Sequence, residues 1–180
     1  MNILKSPASA ILKYKERNNS KNALIPVIIT ALCTSFYKGN MDWMSAIVVN
    51  FSLNLSLYFI ACAAFKLAAI VNNKEVTYKE ILSTWAFSYL PTLSFVAYIW
   101  ITHLFFLKVR IGFTTPLSII LLAVLIAIFI WKSIFYFIEL RVVLKMNFTE
   151  MIVGSIIIGA IFTVTYMITG KVFDFKIPIV

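Results

Sequence analysis

The sequence holds seven carboxylates: Glu16, Asp42, Glu75, Glu80, Glu139, Glu150 and Asp174. Acid–base or hydrolytic chemistry would need two of them close together. All seven fall in expected loops or at expected helix ends, and no two share one apolar run. No HExxH, GxSxG, GxGxxG or phosphate-binding loop occurs. The single histidine, His103, has no second His, Cys or carboxylate at metal-ligand spacing. Cys33 and Cys62 make no CxxC pair and sit in apolar runs, where they read as small core residues. We expect no enzyme activity, no catalytic residue, no cofactor and no bound metal.

Polar groups inside the apolar runs are the remaining chemistry, because each is costly in a membrane unless it finds a partner. Asn50 and Asn54 lie one turn apart on one face, with Ser52 and Ser56 also four apart. They read either as a polar cavity or ligand path, or as interhelical hydrogen bonding worth about 0.6 kcal/mol per contact. Pro91 interrupts an apolar run and predicts a kink. Lys132, Glu139 and Arg141 cluster at one end of a later run, with Lys132 and Glu139 seven apart and so on a similar face. Glu139 could pair with Lys132, with Lys66 or with a basic residue of a partner. The cluster reads either as charge compensation at the membrane interface or as a partner-binding surface.

The elements that hold these groups follow from composition. Hydrophobic residues make up 62% of the 180 and charged ones 13%, against about 45–50% and about 25% in soluble domains. Mean hydropathy is +0.95. A soluble enzyme, a nucleic-acid reader and a disordered tail are excluded. The net charge of +9 belongs to basic residues flanking apolar spans and facing anionic lipid heads, with no nucleic-acid partner implied.

Five apolar spans of roughly membrane length are expected at about 22–37, 45–71, 81–106, 116–138 and 151–169. Residues 1–21 form a basic cytoplasmic segment in which Ser6-Pro7 makes a helix start. Ala8, Ile11 and Leu12 then share a face, which reads as an amphipathic interfacial helix or, equally, a flexible basic tail. Residues 171–180 form a short external tail. The fold class is therefore an all-α membrane protein, a bundle of five transmembrane helices spanning 22–170 with a short N-terminal amphipathic helix.

The basic stretch is long for a signal-peptide n-region, and Leu32 stands before Cys33 where a lipoprotein box needs a small residue, so no cleavage is expected. With the N-terminus inside, inner segments carry nine basic residues and outer ones five, which predicts N-terminus cytoplasmic and C-terminus external in a multi-pass plasma-membrane protein. Lys66 and Lys132 then lie near inner helix ends, within snorkelling reach of the headgroups. Trp85 and Trp131 lie toward the inner interface, Trp43 and Trp100 toward the outer. Small-residue pairs at Ala64/Ala68, Ala123/Ala127 and Ser155/Gly159 point to close helix packing, within the chain or against a copy of it.

The string Val76-Thr-Tyr-Lys-Glu-Ile-Leu-Ser-Thr-Trp-Ala-Phe-Ser-Tyr-Leu-Pro91 resembles the Yip1 domain, in which a short loop leads into an aromatic-rich helix with a Tyr-Ser-x-x-Pro segment. The Leu4-Lys-Ser-Pro-Ala8 stretch, the five spans and the Trp131-Lys-Ser-Ile-Phe135 run agree with that layout. Phe87 to Pro91 reads Phe-Ser-Tyr-Leu-Pro, and the loop from Val71 to Thr77 lacks the family's glycines. The long acidic N-terminal region of trafficking members is missing, so GTPase recruitment is not implied. The resemblance is to the short prokaryotic members, some of which accompany export-type ABC transporters or act in envelope-stress defence, none as an enzyme. The absence of buried chemistry, the small-residue packing faces and the inner charge cluster lead us to expect an accessory or scaffold subunit whose partners are the bilayer and a membrane protein, an ABC transporter subunit among them, or a second copy of itself. The alternatives are a small-solute or lipid transporter lined by Asn50, Asn54 and Pro91, or a membrane-shaping homo-oligomer.

Overall fold

A computed structural model describes residues 8, 9, 11, 12, 24–35, 43–109 and 116–173, and every regular element among them is helical. In chain order these are α1 (Ile25–Ser35), α2 (Trp43–Val71), α3 (Tyr78–Trp85), a 3₁₀ turn (Ala86–Ser88), α4 (Tyr89–Val109), α5 (Pro116–Ile138), a π-helical turn (Glu139–Val143) and α6 (Phe148–Phe173). Residues 8, 9, 11 and 12 are helical too; Ile11 is buried in the core beside Ala8, whereas Leu12 faces out. Most of the basic segment 1–21, and most of the 171–180 tail, lie outside the described residues.

Among the described residues three stretches are long and apolar enough to cross a membrane: Met44–Val71, Ser118–Val143 and Phe148–Thr169. One of the expected spans looks different, and another is described only in part. Only Ile25–Ser35 of the first is described, an apolar helix of 11 residues. The third is not one helix with a kink but three pieces, α3, the 3₁₀ turn and α4, with Pro91 as the third residue of α4. The cause is local. Proline has no N–H to give to the carbonyl of Phe87, and the Tyr89 amide turns back to the Ala86 and Phe87 carbonyls in a tighter turn.

Two loops at one end of the molecule share one design. After α2, Asn73 adopts φ 53° and the amides of Asn73 and Lys74 close on the carbonyls of Ile70 and Ala69, a left-handed helix stop. Thr77 and Glu80 then exchange side-chain-to-backbone hydrogen bonds as a capping box that starts α3. After the π turn, Lys145 adopts φ 54° and the Met146 amide closes on the Leu140 carbonyl. Asn147 and Glu150 form the second box, starting α6. In each loop a buried apolar residue, Val76 or Met146, precedes the cap and pins the entry to the core. Lys74 joins the loops through a 2.8 Å ion pair with Glu150.

The loops make two helical hairpins, and their long arms interleave. α2 packs on α6, α4 packs on α5, and α1 lies against both α2 and α4. Lipid is as apolar as a leucine side chain, so close packing rather than water exclusion holds such arms together. Small residues provide it: Ala61, Ala64, Ala68 and Ala69 are buried on α2. A Cβ added at Gly154 on α6 would lie 3.6 Å from that of Ala68 and 3.3 Å from Met146 Sδ. Trp85 belongs to this interior rather than to an interfacial belt, with its ring 4.5 Å from Phe65 and close to Tyr136.

Candidate functional site around the broken helix

Thr84, Ser88 and Thr92 recur every fourth residue through the break and so present three hydroxyls along one side of the α3–α4 arm. All three are buried, Ser88 completely. The antiparallel arm facing them is α5 with its π turn, since α3 packs on the π turn and the 3₁₀ turn packs on α5. Two ionisable side chains reach across as rungs. Thr84 Oγ1 donates to Glu139 Oε1 at 2.8 Å, and Lys132 Nζ donates to Thr92 Oγ1 at 2.6 Å. The numbering runs oppositely on the two arms, 84 to 92 against 139 to 132, and the rungs bracket the 3₁₀ turn.

Between the rungs lies a polar and aromatic patch. The Tyr58 hydroxyl of α2 donates to the Leu82 carbonyl, and its ring meets Tyr89 edge to face at 5.5 Å. The Lys132 ammonium sits 5.6 Å from the centroid of the Tyr89 ring, near enough for cation–π attraction. Ser88 Oγ has no hydrogen-bond partner among the described residues.

The three residues expected to form a charged partner-binding surface are thus divided. Glu139 is 1% exposed and belongs to the interior. It was expected at a helix end, but the arm continues through the π turn to Val143 and carries Glu139 inside. Lys132 does not reach a loop either. It lies near the middle of the Ser118–Val143 stretch, roughly 16 Å from its loop end. Arg141 alone is exposed, and its Nη1 donates to the Met146 carbonyl at 2.7 Å, bracing the loop. Lys66 lies five residues before the end of α2, and its Nζ donates to the Val76 carbonyl at 2.7 Å.

Asn54 donates to Thr34 Oγ1 of α1 and to the Asn50 carbonyl, both at 2.8 Å. The asparagine face therefore joins α1 to α2 by an interhelical hydrogen bond, while Ser52 and Ser56 point outward. Thr30 Oγ1 also reaches from α1 to the Tyr89 carbonyl at 3.4 Å, beside the break. Pro91 is buried in the same region. Sequence reading missed Thr84, Ser88 and Thr92, although their four-residue period was a visible signal. Among the described residues no group of three His, Cys, Asp or Glu side chains could hold a metal ion.

Comparison with known proteins adds no relative: no family model, no curated protein and no solved structure matches the chain.

Proposed function

We propose that the chain is a five-span membrane protein of the plasma membrane, N-terminus inside and C-terminus outside, that acts as a non-enzymatic accessory or scaffold subunit for another membrane protein. One observation carries this reading. In the most apolar stretches of α5 and α6 only 6% and 11% of residues are buried by the rest of the chain. The small residues sort accordingly. Ala64 and Ala68 are used inside, whereas Ala123, Ala127 and Gly159 face out, and a Cβ added at Gly159 meets nothing within 4 Å. Outward small residues on an apolar helix let a second helix approach closely. The Yip1-like string suggests an export-type ABC transporter or envelope-stress component as that second protein.

The test is affinity purification of the intact chain from native membranes in mild detergent, with mass spectrometry of co-purifying proteins and the native mass of the complex. A stoichiometric membrane partner, lost in Gly159→Leu, supports the reading. A bare monomer overturns it.

A specific observation favours transport as the second reading. Helices broken within the membrane, with charged or polar groups at the break, are the elements from which many transporters build their substrate sites. Here Lys132 and Glu139 flank such a break. Saturable solute flux in liposomes that is lost in both Asn54→Leu and Lys132→Met is the corresponding result.

A further inference from the structure

We infer that the 3₁₀ break holds a binding site for a carboxylate, with the Lys132 ammonium and the Ser88 hydroxyl as its recognition groups. Three observations on one spot carry this. Lys132 lies near the middle of an apolar stretch, and among the described residues its ammonium bonds the Thr92 hydroxyl, lies near the Tyr89 ring and has no carboxylate within ion-pair distance. An ammonium at that depth is costly unless an anion joins it. Ser88, one turn before Thr92, is 0% exposed and its hydroxyl has no hydrogen-bond partner among the described residues. A buried hydroxyl left unmatched in a chain that satisfies its neighbours marks a place where something else supplies the acceptor. Lys132 itself is half-buried, and its ammonium reaches from α5 to Thr92 on α4.

The ligand chemistry follows from the group count. One positive charge matches one negative charge, and the two oxygens of a carboxylate can take one bond from an ammonium and one from a hydroxyl. A phospholipid headgroup is held at the membrane surface, roughly 16 Å from Lys132 along the helix. A carboxylate, whether on an apolar chain or on a small acid, is compact enough to be carried to this depth.

The experiment uses the full chain in lipid nanodiscs, with carboxyl-labelled dodecanoate as probe, dodecanol as its uncharged counterpart and acetate as the soluble competitor. Dodecanoate binds the wild type at least about tenfold more tightly than dodecanol, and Lys132→Met removes that preference. Ser88→Ala weakens dodecanoate by a few-fold and leaves dodecanol unchanged; because its hydroxyl bonds nothing, this variant folds even if Lys132→Met does not. Displacement by acetate assigns the site to free carboxylates, and its failure assigns it to amphiphiles. Equal binding of dodecanoate and dodecanol by the wild type overturns the proposal. So does an unchanged preference in folded Lys132→Met or in Ser88→Ala, or carbodiimide coupling of Lys132 to an acidic residue of a co-purifying protein.

Discussion

Thr84, Ser88 and Thr92 carry the same hydroxyl at one-turn intervals and end in three different states. Thr84 is bonded to a buried carboxyl, Thr92 accepts from a half-buried lysine, and Ser88 has no hydrogen-bond partner among the described residues. Mutations should therefore act with opposite signs. Thr84→Val keeps the shape and removes the Glu139 partner, and it should cost about 1–3 kcal/mol. Ser88→Ala removes an unmatched group and should stabilise by about 1 kcal/mol. Unfolding of both variants in mixed detergent–SDS micelles gives the two signs directly; a destabilised Ser88→Ala would mean that its hydroxyl has an acceptor in the membrane. Glu139 follows the same logic. Charge reversal there acts on the fold, because the side chain is 1% exposed. Glu139→Lys should lose more than about 3 kcal/mol, whereas Arg141→Glu, on an exposed residue that braces one carbonyl, should lose no more than about 1 kcal/mol. The same micelle titration separates them.

At the scale of elements, the two loops carry most of the local information. Each helix stop uses a non-glycine residue in the left-handed region, and the two differ in how well they suit it. Asparagine adopts that conformation more readily than lysine. Lys145→Gly should therefore raise the melting temperature, by about 0.5–1 kcal/mol in stability, with Asn73→Gly nearer to neutral. Thr77→Ala and Asn147→Ala should each cost about 1 kcal/mol through the lost caps. Thermal melts in one detergent rank all four. These loops were legible as segments in the sequence, since Thr77-x-x-Glu80 and Asn147-x-x-Glu150 stand before apolar runs. So was a disturbance at Pro91. Its form was not legible, because whether proline bends a helix or divides it depends on what its neighbours bond to. Here the Tyr89 carbonyl meets Thr30, and the Thr92 hydroxyl meets Lys132. Glu139 was expected at a helix end, yet the helical arm continues past it through the π turn to Val143.

For the whole molecule, the interleaved arms leave two kinds of helix surface that look the same in composition. α6 shows both, on Gly154 and Gly159. Gly154 is buried where α6 crosses α2, with Ala68 and Met146 close to any added Cβ. Gly159 is exposed, and an added Cβ meets nothing within 4 Å. Both glycines cost a helix roughly 0.5–1 kcal/mol relative to alanine. At Gly159 that cost is offset by no contact within the chain. Gly159→Ala should therefore stabilise the purified monomer slightly, and Gly159→Leu should leave it folded. At Gly154 a leucine overpacks the α2–α6 crossing and should cost about 1–3 kcal/mol. Monomer stability thus reports on Gly154 and is blind to Gly159. The recovery of a membrane partner reports on Gly159, because a leucine there holds an approaching helix away. If Gly159→Leu keeps both its stability and any partner, the outward face of α6 meets lipid alone, and a docking surface is left to the Ala123/Ala127 side of α5. If it keeps its stability and loses the partner, the glycine serves assembly rather than fold.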